Sequence, residues 1–145
     1  PMEPVVEHAV EYVKNNCEGN WNTVVILQPT SPLRDEEDID GALKRYKNVK
    51  CDSLVSVNED HSYRWNKKEK WGNRINYSGE RIPRQDKNPE FVENGAIYVS
   101  NIDEFLEKKE ITCGKTCLFR MKDISSIDID TPFEFWVAEK IVEEF

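Results

Sequence analysis

No stretch of this chain is long and apolar enough to cross a bilayer, and its start, Pro1-Met2-Glu3-Pro4, has neither a basic end nor an apolar core. Insertion and secretion find no support, and a cytoplasmic protein is expected. Positive charge is also scarce: 20 Lys and Arg stand against 28 Asp and Glu, for a net charge of −8. That balance argues against a nucleic-acid surface or a polybasic membrane contact and reads as solvated acidic surface. The four cysteines, Cys17, Cys51, Cys113 and Cys117, form no Cys-x-x-Cys pair and have no nearby histidine, so scattered free thiols are expected rather than zinc or disulfides. The six glycines are dispersed, no two within five residues, which leaves no glycine-rich loop to cradle a phosphate. Internal repeats and low-complexity segments are lacking too.

What is present suffices for one core: 145 residues, 38% hydrophobic, give a single domain over 1–145 or a large part of one. Val24-Val25-Ile26-Leu27 runs without alternation into a turn bracketed by Pro29 and Pro32. An apolar run of this kind predicts a strand buried on both faces, hence a mostly parallel sheet covered by helices on each side. In such α/β sheets ligands sit beyond the carboxyl ends of the strands, where Gln28 to Arg34 lie. A chain that enters such a strand from a helix is expected to begin its fold upstream of Pro1.

Residues Glu3 to Asn16 carry Val6, Ala9, Val10 and Val13 at helical spacing, with Pro4 suited to the first turn. Asp35 and Asp38 predict a capped helix with Ile39, Ala42, Leu43 and Tyr46 on its apolar face, followed by a strand at Ser53–Val57. From Asn58 to Asn88 the periodicity fails, and aromatic and basic residues (Tyr63, Arg64, Trp65, Trp71, Arg74, Tyr77) predict an arm with its own hairpin. Phe91 to Ser100 returns to strand, with Gly95 suited to a bulge or to close approach of a ligand. A helix capped by Asn101, strands at Cys117–Met121 and Ile124–Asp130, and a last helix from Pro132 to about Phe145 complete the reading, with Trp136, Val137, Ile141 and Phe145 expected against the sheet.

Asp128 and Asp130, two apart in an extended segment, are expected to project from one face while Ile127 and Ile129 face the core. Paired carboxylates repel, and a divalent cation between them and a polyphosphate relieves that repulsion, as Mg²⁺ does in many nucleotide sites. Two solvated aspartates leading into a capped helix are the plainer alternative.

Three segments, Gln28-Pro29-Thr30-Ser31-Pro32-Leu33-Arg34, Asn94-Gly95-Ala96-Ile97-Tyr98 and Ser126-Ile127-Asp128-Ile129-Asp130, resemble signature segments of the CMP-sialic acid synthetases, or acylneuraminate cytidylyltransferases, in the same order. The likeness covers nearly the whole chain, but the family's opening strand and glycine-rich nucleotide loop have no counterpart in it. The resemblance implies the later part of a Rossmann-like three-layer α/β/α nucleotidyltransferase fold, with the arm serving as a homodimerisation element that reaches toward the partner's site. It implies a reaction of CTP with a nonulosonic acid, giving the CMP-sugar and pyrophosphate. In that comparison Asp128 and Asp130 hold Mg²⁺, and Arg84 grips the sugar acid's carboxylate. Arg64 stands where relatives can carry a lysine for the same substrate, and Gln28, Asn94 and Tyr98 contact the sugar. By the same comparison the isolated chain, lacking the loop, is expected to be inactive. One departure concerns Ile111-Thr112, which stand where some sialic-acid enzymes have an aromatic pair near the sugar's acyl group. Pseudaminic and legionaminic acid therefore stay open as acceptors. So does a non-catalytic sugar-acid-binding or dimer-forming role, whereas a flavodoxin-like module would need a phosphate loop that the chain lacks.

Overall fold

The structure, a computed structural model, describes residues 1–144. Helix α1 (Glu3–Asn16) has Pro4 in its first turn and buries Val6 and Val10, one turn apart. Strand β1 (Thr23–Leu27) leads through the proline-bracketed turn to α2 (Glu36–Val49). There the predicted capping box is complete, with the Asp38 N–H donating to Asp35 Oδ1 at 2.8 Å and the Asp35 N–H to Asp38 Oδ2 at 3.2 Å. Strands β2 (Ser53–Asp60), β3 (Trp65–Lys68), β4 (Trp71–Arg74) and β5 (Glu90–Asn101) follow. Helix α3 (Ile102–Lys108) starts where β5 ends, because the Asn101 side chain accepts the Asp103 and Glu104 N–H groups. Strand β6 (Thr116–Arg120) and α4 (Pro132–Glu144) close the chain.

Among the described residues four strands form one sheet in the order β1-β5-β2-β6. Strand β2 runs parallel to β6, with Leu54 opposite Cys117, but β1 runs antiparallel to β5, with Val25 opposite Val99. The sheet is therefore mixed, and β1 is an edge strand whose Val25 and Leu27 are 37% and 39% exposed. The apolar run at 24–27 predicted burial on both faces, yet β5, some seventy residues downstream, takes the place between β1 and β2.

Helices cover both faces. Against one, Ala42 of α2 packs with Leu54, Ala96, Ile97, Val99, Cys117 and Met121. Against the other, Val6 and Val10 of α1 and Phe105 of α3 pack with Ile102, Ile111 and Cys113, joined by Val24, Ile26 and Tyr98. Each fully buried Leu54, Ile97 or Phe105 contributes about 1.5–3 kcal/mol relative to an exposed one.

Three expectations need correction here. Cys51 and Cys117 are joined as a disulfide, Cα atoms 6.0 Å apart, because parallel pairing of β2 with β6 brings the two ends together; Cys17 and Cys113 are free. Residues 124–126 form a single 3-10 turn instead of starting a strand. Trp136 is 52% exposed, and Ala138 is the buried residue of α4. Phe145 lies outside the described residues.

The chain divides into two compact units, one formed by 1–58 and 93–145, the other by Glu59–Val92. In the second, β3 and β4 pair antiparallel with Trp65 opposite Arg74 and Lys68 opposite Trp71, a hairpin whose eight strand residues are all exposed. Tyr63, Tyr77 and Trp65 meet edge to face beside it, and Arg74 lies over the Tyr77 ring at 4.9 Å.

Candidate active site

The first unit gathers the three sequence segments around Gly95. This glycine has φ +72°, a backbone region that side-chain-bearing residues rarely adopt. A Cβ there would stand 2.7 Å from Gln28 Oε1, 3.2 Å from Asp128 Oδ2 and 3.5 Å from Ser31 Oγ, so three oxygens from two other segments crowd against its bare backbone. One backbone and one side-chain bond lock them in place: the Ile129 N–H donates to Thr30 O at 2.8 Å, and Ser31 Oγ donates to Asn94 O at 3.2 Å. Gln28 is oriented through its amide nitrogen, which donates to Met2 Sδ at 3.6 Å. Arg34 braces the turn from within, with Nη1 donating to Gln28 O at 2.6 Å and Ser31 O at 2.8 Å; burial pushes its pKa below the ordinary value.

Asp128 and Asp130 do not share an environment. Asp128 is half-buried and its Oδ1 is enclosed, with no hydrogen-bond partner among the described residues. Asp130 is exposed at the start of α4, where its N–H donates to Glu134 Oε2 at 3.0 Å. The alternation at 126–130 read as a strand, but the Ile129 N–H is committed to the Thr30 turn instead of to a ladder. No group of three His, Cys, Asp or Glu side chains that could hold a metal occurs among the described residues. The hard-oxygen set present, with a buried Asp128 oxygen lacking a partner, nevertheless suits Mg²⁺, which takes one or two carboxylates and completes its shell with phosphate and water.

Tyr98 belongs to the same neighbourhood. Its hydroxyl donates to Glu93 Oε2 at 3.3 Å, and burial, then Glu93, with a smaller contribution from Asp128, pushes its pKa up to about 12. Asn94, which the resemblance implies as a sugar contact, directly precedes Gly95 in β5. It is 5% exposed, and its amide is spent internally: Oδ1 accepts from Ser56 Oγ at 2.6 Å and Nδ2 donates to Ser126 Oγ at 3.0 Å. These bonds tie the strand beside Gly95 to Ser56 of β2 and to Ser126, two residues before Asp128. Ile111, expected near the sugar's acyl group, is 7% exposed and packs in the core with Phe105.

Arg64 and Arg84 lie in the second unit. Arg84 is exposed and opens a 3-10 turn, Arg84–Asp86. Arg64 is held by Asp60, Nη2 to Oδ2 at 2.5 Å, and by Glu90, Nε to Oε2 at 3.7 Å. The Ser62 hydroxyl and N–H, followed by Arg64, hold the Asp60 carboxyl down at about 2. A carboxylate depressed in this way stabilises the fold fully above the ordinary value near 4, and that contribution is lost as pH falls toward 2. Tryptophan emission from Trp65 and Trp71 is accordingly expected to stay constant down to about pH 4 and to shift below it. Asp60→Asn should remove that part of the transition; an identical titration in the variant would show that Asp60 does not govern it.

Ser31, Arg34 and Glu93 were not singled out from the sequence, although the first two lie inside the proline-bracketed segment.

No family model matches the chain. Curated proteins do. The CMP-N,N'-diacetyllegionaminic acid synthase of Legionella pneumophila is 32% identical over 133 residues, 85% of this chain and 55% of that protein. The N-acylneuraminate cytidylyltransferase of Streptococcus agalactiae serotype V is 33% identical over 115 residues, 77% of this chain and 28% of that protein. N-acylneuraminate cytidylyltransferase A of Danio rerio is 32% identical over 124 residues, 82% of this chain and 29% of that protein. The chain thus spans about half the length of the first relative and under a third of the other two. Across the matched residues, therefore, the chain is similar to the acylneuraminate cytidylyltransferases and to a CMP-diacetyllegionaminic acid synthase.

Proposed function

We propose that these residues form the acceptor and metal part of a cytidylyltransferase that joins CMP from CTP to a nonulosonic acid. The observation that carries this reading is the meeting of Gln28, Ser31 and Asp128 over Gly95, which draws the three family segments to one spot. In the reaction the sugar's anomeric hydroxyl oxygen attacks the α-phosphorus in line, the bond to pyrophosphate breaks, and the hydroxyl proton is lost. Such chemistry depends on positioning and charge neutralisation, without a protein nucleophile. Asp128 Oδ1, with Asp130 two residues on, would hold Mg²⁺, and the metal when bound supplies neutralisation of the polyphosphate. Gln28 and Tyr98 orient the sugar, and Arg84 and Arg64 take its carboxylate. Legionaminic acid is a second acceptor reading, favoured by the Legionella relative, whose name specifies a diacetyl form of that sugar.

The open sheet with helices on both faces supports a Rossmann-like nucleotidyltransferase architecture. Among the described residues no helix is long and apolar enough to cross a membrane. With CTP as substrate we place the reaction in the cytoplasm. Residues 1–145 by themselves should bind the sugar acid without turning over CTP, since their dispersed glycines offer no loop to hold a triphosphate.

The test is transfer of label from α-labelled CTP to the free sugar acid by the whole protein carrying these residues; release of labelled CMP alone would indicate a nucleotide hydrolase. Arg84→Ala is expected to raise the KM for the sugar acid about tenfold to a hundredfold, the worth of a charge-assisted bond, while the KM for CTP holds. A rise confined to CTP would assign Arg84 to the phosphates. The arm is proposed as a homodimer element, supported by Trp65 and Trp71, 54% and 66% exposed. Light scattering at micromolar concentration should give a dimer; a monomer would contradict that assignment.

A further inference from the structure

Lys87 is a charged residue that the second unit conceals. Its side chain is 9% exposed, and its Nζ has no hydrogen-bond partner among the described residues, although an ammonium carries three donors. Enclosing a cation with those bonds unmade is costly, so its surroundings should supply or admit an anion. The anion at hand is Glu90, whose Oε2 stands 3.9 Å from Lys87 Nζ, an ion-pair separation too long for a hydrogen bond.

That same oxygen serves other groups. It lies 3.7 Å from Arg64 Nε and accepts from Asn76 Nδ2 at 2.6 Å. Asn76 in turn accepts the Arg64 N–H at 2.9 Å and donates to Ser62 O at 3.0 Å, which fixes the Arg64 backbone. Asp60 pairs with the far end of the Arg64 guanidinium. Arg81 lies over the Tyr63 ring at 4.7 Å, with Lys87 Nζ 6.0 Å from the same ring. The His61 ring, Nδ1 2.9 Å from Lys87 O, pins the lysine backbone, and its Nε2 is 3.9 Å from Glu59. Arg64 and Lys87 thus share one carboxylate, Glu90, and the better enclosed of the two cations is the less satisfied.

We propose that Arg64 and Lys87 together form a carboxylate-binding subsite within the second unit, where Glu90 is a resident carboxylate that an incoming one displaces. An arriving carboxylate accepts the hydrogen bonds of the Lys87 ammonium and bridges to Arg64, while Glu90 stays with Asn76 or swings to solvent. The naming of the ligand as a nonulosonic acid rests on the proposed function; the subsite itself rests on Lys87, Glu90 and Arg64. Lys87 therefore acts as a specificity-determining residue, selecting the free acid over a neutral ester.

The experiment pairs kinetics with direct binding, using the whole protein, N-acetylneuraminic acid and its methyl ester. Lys87→Met keeps the stem and removes the charge. It is expected to weaken the acid on the order of tens-fold, to erase the preference for acid over ester, and to leave the KM for CTP unchanged. Lys87→Arg should restore most of the preference, and Glu90→Gln should tighten acid binding by removing the competitor. Thermal melts of each variant separate loss of fold from loss of binding. If the protein transfers no CMP but saturation-transfer NMR shows an acid preference that Lys87→Met abolishes, the subsite stands and the cytidylyltransferase reading falls. If transfer occurs and Lys87→Met keeps the wild-type KM and preference, or if neither acid nor ester binds, the subsite is overturned. Equal weakening by Glu90→Gln and Lys87→Met would also overturn it, since Glu90 would then be a brace and not a competitor.

Discussion

Asp128→Asn in the whole protein is expected to lower turnover of CTP with a nonulosonic acid by a factor of roughly 30 to 1,000, or ~2–4 kcal/mol of transition-state stabilisation. The substitution keeps the shape of the side chain and removes the charge of a carboxylate whose enclosed Oδ1 has no hydrogen-bond partner among the described residues. A group retained for folding would make its bonds within the fold; this one leaves an acceptor unused, at a cost of about 1–3 kcal/mol for a buried polar atom. The thermal midpoint should therefore hold or rise while turnover falls. Asp130→Asn, at an exposed position, is expected to lose less. Equal turnover of Asp128→Asn and wild type at limiting Mg²⁺ would remove Asp128 from the metal.

Asn94→Ala is expected to have the opposite signature. It strips partners from the Ser56 and Ser126 hydroxyls and from the Ala96 N–H, all bonded to the Asn94 amide. Losing these three bonds together in a buried place is expected to cost ~2–4 kcal/mol of stability. The melting temperature should drop markedly, while at low temperature the folded fraction keeps its KM for the sugar acid. A raised KM with an unchanged melt would return Asn94 to the ligand, the role first read from the sequence.

The helices were legible because their signals are local. Asp35 with Asp38, Asn101 before Ile102, and Thr131 with Glu134 are each complete within four residues, and the structure makes all three caps. What failed depended on distant partners. Val24 to Leu27 carries the same apolar run whether its second face is covered or open, and nothing in those residues announces that β5 will pair there antiparallel. The alternation at 126–130 resembled a strand, but a bond from Ile129 to Thr30, a hundred residues away in sequence, sets its course. Cys51 and Cys117 lacked a spacing motif because the pairing of β2 with β6, and not linear distance, brings them together.

The candidate site was legible to a comparable degree. Gln28, Gly95, Tyr98 and Asp128 come from motifs, and the first unit collects them. The resemblance marked Asn94 as a sugar contact, but nothing in the local sequence says which groups its amide meets within the fold. Lys87 was invisible, since a lysine in a polar arm ordinarily reads as surface.

Acceptor-dependent pyrophosphate release is the most direct measure of whether these residues belong to a CMP-nonulosonate synthetase. The whole protein carrying residues 1–145 would be assayed with CTP and Mg²⁺, with and without N-acetylneuraminic, legionaminic or pseudaminic acid. The account predicts release that requires one of these acids and falls at least thirtyfold in Asp128→Asn. Release at the same rate without any acid, or none with all three, would contradict it.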